Sequence, residues 1–369
     1  MTGRVAVVTD STAHLAAADV EAHRIRVVPL QVVVDGVAVD EWTPGDGAGF
    51  GPGLGGGLDG GLGGGLGGLG APGAGLGRPG GHGSGAAGLG ARRAAGANRP
   101  GSAPFPSGGV PFAVGGAPGG RAGGVGVQTR FGPREVADAL RAHVPVTTSR
   151  PSPRVFLDTY ESAAAEGFGA IVSVHISGSL SGTADAARLA ARDAPIPVHV
   201  VDSRSLGMGL GFAVLVAASA ARRGLTADEV AALALDRAVR SSAFFYVDTL
   251  DYLRRGGRVG AASAVVGTAL AIKPLLHLRD GWVDLLEKVR TSARARARLE
   301  DLAVERALAA GGRVDLAVHH LDNAARADEL AARLTDRLPT IGSVVVTEVG
   351  AVIGAHVGPG LLATVISPH

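Results

Sequence analysis

Apolar and polar positions follow two periodic regimes along this chain, separated by a long stretch with no periodicity. Val5–Thr9 is an apolar run ending in Asp10-Ser11-Thr12, the pattern of a buried strand feeding a helix. Ile25–Val34 predicts a second strand region, interrupted by Pro29. The pattern resumes with a short helix over Arg134–Ala142, and from Thr147 strands and helices alternate. Ser152-Pro153 opens a helix, with serine as N-cap and proline at the first helical position, running to about Glu166. A strand at Ala170–Ile176, a helix at Thr183–Ala191 and a strand at Val198–Val201 follow. Gly209–Arg222 predicts a helix closed by Gly224, and Asp228–Ser241 one capped by Thr226. A strand at Phe244–Val247 comes next. The apolar run Val259–Ile272 reads as a buried helix, too short to span a membrane. Beyond Gly281, strands near Leu285, at Val314–Val318 and at Ser343–Glu348 mix with two long helices.

This alternation predicts an α/β protein of two α/β domains. The first, residues 1–44 plus 127–203, is expected to hold a parallel sheet covered by helices. The second, residues 204–369, is expected to hold a mixed or antiparallel sheet. Residues 45–126 are Gly, Ala, Pro and Leu with scattered arginine, and hold more than half of the chain's 59 glycines. Such a segment cannot recover its ordering entropy by burial, so it is expected to be a disordered insertion. An insertion of this length is tolerable because closure entropy grows only logarithmically.

Composition narrows the chemistry. The net charge is only +2, and lysine occurs only at Lys273 and Lys288, so the basic footprint of a nucleic-acid binder is missing. The absence of cysteine excludes disulfides and thiolate catalysis. The first ten residues lack the pattern of a signal peptide, and a cytoplasmic protein with at most transient membrane contact is expected. There is no P-loop and no nucleophile elbow. Gly207-Met208-Gly209-Leu210-Gly211 has the wrong spacing for a dinucleotide loop and reads as close helix packing. His319-His320 would point to opposite faces of a strand, which makes core or surface roles better than a shared metal site.

Four apolar runs end in hydroxyls: Asp10-Ser11-Thr12, Thr147-Thr148-Ser149, Ser177 through Thr183, and Asp202-Ser203. In an open parallel sheet such ends share the ligand-binding edge, and helix N-termini there favour anions. Each one taken singly is an ordinary N-cap. Thr147-Thr148-Ser149, however, supplies more oxygens than a cap uses.

Collinear motifs then resemble one family. They are Val7-Val8-Thr9-Asp10-Ser11-Thr12, Val28-Pro29-Leu30, and Val146-Thr147-Thr148-Ser149-Arg150-Pro151-Ser152-Pro153. Ile176-Ser177, Leu180-Ser181-Gly182-Thr183 and Val201-Asp202-Ser203 follow. Thr249 through Arg258, Ile272-Lys273-Pro274, Asp280-Gly281, Lys288-Val289-Arg290-Thr291 and Gly354 through Gly360 complete the series. In this order they resemble the DegV family, over everything except residues 45–126. The resemblance implies a fatty acid in a buried tunnel between or within the domains, with no other cofactor. It implies that Thr148 and Ser181 hold the carboxylate, with Arg258 and His356 close by and Ser11 and Ser177 in the same head-group set. It further implies a non-catalytic carrier that presents the fatty acid to a separate fatty acid kinase for acyl-phosphate formation, with Arg290 associated with that partnership. Arg150 stands where glutamine is usual and Gly178 where a second serine is usual. Two other readings stay open: a lipid hydrolase using Ser181 and His356, and a regulatory module binding another anion.

Overall fold

The structure is a computed structural model and describes residues 3–41, 131–259 and 273–369. The expected disorder of 45–126, and nearly all of the run expected to form a buried helix at Val259–Ile272, lie outside the described residues. Strand β1 (Val5–Asp10) is followed by helix α1 (Ala17–His23) and strands β2 (Arg26–Val28), β3 (Gln31–Val34) and β4 (Val37–Asp40). Then come α2 (Pro133–Arg141), β5 (Val146–Ser149), α3 (Pro153–Ala165), β6 (Ala170–His175), α4 (Thr183–Ala191) and β7 (Val198–Asp202). Helices α5 (Met208–Arg222) and α6 (Ala227–Arg240) lead to β8 (Ser242–Tyr246) and α7 (Asp251–Arg255). The last elements are β9 (Lys273–Arg279), β10 (Trp282–Val289), α8 (Ser292–Ala309), β11 (Val314–His320), α9 (Ala324–Arg337), β12 (Ile341–Glu348), α10 (Ala351–Val357) and β13 (Leu362–Pro368).

Three sheets result. One is wholly parallel, in the order β2-β1-β6-β7. Its side chains alternate between faces, as strand geometry requires. Ala6 and Val8 pack with Phe156 and Tyr160 of α3 and Ala187 of α4, while Val5 and Val7 pack with Leu210 and Val214 of α5. Both faces are therefore covered, the usual condition of a parallel sheet. The second sheet is mixed, in the order β10-β9-β8-β13-β11-β12, with β11 and β12 its one parallel pair. Leu299, Leu316, Leu330 and Ile366 seal one face under α8 and α9. Met208 and Phe212 of α5 reach the other face at Ala317 and Val365. α5 thus touches strands of both sheets. The parallel and mixed sheets are those the sequence pattern predicts.

The third sheet, β4-β3-β5, is antiparallel and corrects one expectation. Thr147-Thr148-Ser149 does not follow a strand at the edge of the parallel sheet. These residues are themselves strand, paired with Val33, Val32 and Gln31. The run Val-Thr-Thr is β-branched and suits the pleated surface, and its alternation turns Val146 and Thr148 inward while Thr147 and Ser149 face out. Ser152 has the extended backbone of an N-cap, but its side chain makes no capping bond. Thr226 does cap α6, in a reciprocal box with Glu229. The strands β4, β9 and β13 and the short helices α7 and α10 are not among the elements the sequence pattern predicts.

Candidate functional site: an apolar cavity with a cationic pole

A cavity of about 350 Å³ opens among the parallel-sheet edge, the inner face of the mixed sheet, and α10. That size falls within the usual range of small-molecule sites. Its walls are mostly apolar, including Leu30, Ile176, Phe245, Leu253, Val283 and Ile353. Thr148, Ser149, Arg150, Ser181, Arg258 and His356 also line it.

These six form one contiguous group. Thr148 Oγ1 lies 2.9 Å from His356 Nε2. The His356 ring packs on Gly256, where a Cβ would sit 2.2 Å from Nδ1, so a larger residue at 256 would displace it. Arg258 donates from Nη1 to Gly256 O and from Nε to Leu180 O at 3.1 Å. The next residue, Ser181, shares a 2.7 Å bond with Thr183 Oγ1. Arg150 closes the circuit, its guanidinium lying over Gly182, where a Cβ would fall 2.1 Å from Nη1. One strand, two turns and helix α10 therefore bring together residues that span more than half the chain.

The electrostatics of this pole are unusual. Among the described residues neither Arg258 nor Arg150 has a carboxylate partner within salt-bridge distance. Arg258 is half-buried, and burial lowers its pKa from the ordinary arginine value. Burial, aided by the Arg258 charge, pushes the His356 pKa down to about 4, so the ring is neutral at pH 7. A half-buried cation that donates only to carbonyls is poorly compensated. An anion in the cavity would supply what the protein does not.

The structure does not bring every expected residue to this pole. Ser11 Oγ accepts from Leu30 N, and Ser177 Oγ donates to Gly281 O at 2.8 Å and accepts from Ser179 N. Neither lines the cavity. Arg290 is exposed at the end of β10, outside the cavity lining. Of the arginines after it, Arg298 is tied to Glu287 and Glu305. Ser181 and His356 are not bonded to one another, so the couple a hydrolase needs is not assembled. His319 lines the apolar part, is buried, and accepts from Met208 N at 3.0 Å. His320 is buried too, so the core reading holds for both histidines.

Sequence reasoning missed a second histidine assembly. Asp10 Oδ2 lies 3.0 Å from His175 Nδ1, and His175 Nε2 lies 2.7 Å from Ser173 Oγ. Ser173 Oγ in turn meets the Tyr160 hydroxyl at 2.9 Å. All four side chains are sealed from solvent. The available signal was an Asp and a His at the ends of two apolar strands, 165 positions apart.

The fold is α/β and encloses an apolar cavity with one cationic pole. The family model described as "Uncharacterised protein, DegV family" matches residues 128–369, and the chain belongs to the DegV family. A DegV domain-containing protein of Streptomyces coelicolor is 56% identical over 239 residues, 65% of this chain and 84% of that protein. One from Mycobacterium bovis is 41% identical over 243 residues, 65% of this chain and 85% of that protein. Among solved structures, a DegV family protein from Thermus thermophilus, described by its fatty acid binding, is 26% identical with a TM-score of 0.71. The match covers 99% of this chain and all of that one. DegV of Bacillus subtilis, described as a fatty acid binding protein, shares the fold with a TM-score of 0.70 at 23% identity, over the whole of both chains.

Proposed function

We propose that this protein binds one long-chain fatty acid in the cavity, as a carrier that performs no chemistry itself. Thr148 and Ser181 hold the carboxylate, while Arg258 and His356 stand beside it. The observation that carries this reading is an apolar cavity with one polar pole, where Arg258 bonds only carbonyls. The fatty acid binding described for the Thermus thermophilus relative supports it. Burying a chain of ~16 carbons contributes on the order of 10 kcal/mol as an upper bound. Hydrogen bonds to the charged head add about 1.5–3 kcal/mol each. The tail supplies most of the affinity, and the pole decides which end faces the opening.

In this reading the protein works in the cytoplasm and presents the bound acid to a separate kinase, which forms an acyl phosphate. Arg290 and Arg294 are exposed and form no salt bridge among the described residues, which suits docking to an acidic partner. Native mass spectrometry, repeated after mild organic extraction, tests the carrier reading. A removable mass of a long-chain acid is expected. A covalent adduct on Ser181, or no lipid-sized mass at all, overturns it. Arg290→Ala is expected to keep full lipid loading and to lose acyl-phosphate formation by the cognate kinase.

A further inference from the structure

Glu41 is a buried carboxyl outside the cavity lining, and no cation is paired with it among the described residues. It stands one residue past β4 and is tied to two cavity walls. Its N–H donates to Leu30 O at 2.7 Å, and its Oε1 accepts from Val352 N at 2.8 Å. Oε2 has no hydrogen-bond partner among the described residues. Leu30 and Val352 both line the cavity, and so do Ile353, His356 and Val357 of α10. His14 holds the same helix start, its Nε2 accepting from Gly350 N at 3.0 Å. A Cβ at Gly350 would overlap Glu41 Oε1, so the carboxyl lies directly against the helix. A sealed carboxyl with one oxygen on a cavity helix and the other unpaired is costly, and packing alone does not call for it.

We propose that Glu41 is a positioning residue for α10, and that its protonation state sets how readily that wall of the cavity opens to exchange the ligand. The inference rests on the lipid reading of the cavity and deepens it to the control of loading and release. A protonated carboxyl can stay buried and keep Val352 N. An ionised one gains hydration only by leaving the helix start. Burial raises the Glu41 pKa to about 7; hydrogen bonds from Ser11 and Val352 oppose the shift, and Asp10 adds to it. The closed wall therefore holds the proton more tightly than an open one. Opening becomes easier as pH rises from 4.5 and levels off above about 7. The histidines around the helix act in the opposite sense. His14, His319, His320 and His356 are all lowered by burial, so their protonation eases opening at acid pH. Asp40 is bonded to Gln31, and Glu348 to Asp322 N. The charged residues of α2 (Arg134, Glu135, Asp138, Arg141) and of α7 (Asp251, Arg254, Arg255) are exposed.

The test follows release of cis-parinarate from full-length protein into excess phosphatidylcholine vesicles, by stopped flow, between about pH 5.5 and 8. The quantity read is the release rate of wild type divided by that of Glu41→Gln, which cancels the titration of ligand and histidines. Gln keeps an oxygen for Val352 N and cannot ionise. The ratio is expected to rise about tenfold across the range and to level above about pH 7.5. Glu41→Ala, without the acceptor, is expected to release quickly at every pH. If Glu41→Gln does not fold, wild type divided by Glu41→Ala takes its place, with the same slope expected. A ratio that does not change with pH overturns the proposal, even where the variant is uniformly faster or slower, because a merely structural residue gives that result. No bound cis-parinarate at any pH overturns the lipid reading and this inference with it; a bound probe with a flat ratio overturns the inference alone.

Discussion

Two hydroxyl–histidine pairs stand among the described residues, and their surroundings are opposite. Ser173 and His175 are sealed between α3 and the parallel sheet, and Asp10 completes the pair. Thr148 and His356 stand on a cavity wall, and their charged neighbour is Arg258. The first has the connectivity of a hydrolytic triad but no access for substrate. Asp10 also accepts from Thr12 N, Thr12 Oγ1 and Ile176 N, so it ties the ends of β1 and β6 together. The second lacks an orienting carboxylate and has a cation in its place, which disfavours imidazolium and favours a bound anion. Chemistry is decided by access and by the sign of the third group, not by the presence of the pair.

The largest effect is expected at the sealed pair. Asp10→Ala strands several buried donors and should cost about 3–5 kcal/mol, read by denaturant unfolding. Its folded fraction should still carry lipid at the wild-type ratio. A mild loss would mean that water reaches the network.

Next comes the open pair's cation. Arg258→Met should lower fatty-acid affinity about 10–100-fold. Unfolding should show no loss of stability, because a half-buried charge is removed along with its desolvation cost. A destabilised protein with unchanged affinity would make Arg258 a structural residue. Thr148→Ala and Ser181→Ala should each weaken retention by about tenfold, with the fold intact. If a double variant purifies with undiminished lipid, both hydroxyls serve only the protein's own hydrogen bonds.

The smallest effect is a pH slope. The His356 pKa is lowered in the fold to about 4 from its ordinary 6.5, so the unfolded chain binds the proton first. Its share of stability is present above about pH 6.5 and is lost as pH falls toward about 4. Between about pH 7.5 and 6 this amounts to about 1 kcal/mol or less. Glu41 runs the other way. Burial raises it to about 7, so its share is full at low pH and is lost as pH rises from 4.5 through 7. Comparing His356→Gln with wild type isolates the histidine term, and parallel pH–stability curves would show that the ring is not desolvated.

Local elements were legible in the sequence because their signals are contiguous. The strand Val5–Thr9 and the helix Thr183–Ala191 differ from the observed elements by at most one residue. β5 was misplaced because a period of two cannot be told from a loop over four residues, and nothing local shows that its partner is β3. α10 has only seven residues between glycines, too few to display a helical period. The chemistry-bearing pairs were the least legible. Thr148 and His356 are separated by 208 positions, and their meeting depends on the packing of β5 against α10. Ser11 and Ser177 were grouped with the head-group residues by motif, but backbone groups at Leu30 and Gly281 take up their hydroxyls.

The place of β13 has a consequence for biosynthesis. It lies in the interior of the mixed sheet, between β8 and β11, which are far earlier in the chain. Ala363 and Val365 of that strand form part of the cavity wall. Until residues 362–368 have left the ribosome, β8 and β11 face each other across a missing strand, each with a bare edge. A nascent chain can complete its parallel sheet early and still lack one wall of the cavity. A chain in which β13 is not yet in place between β8 and β11 is an edge-exposed intermediate suited to chaperone capture.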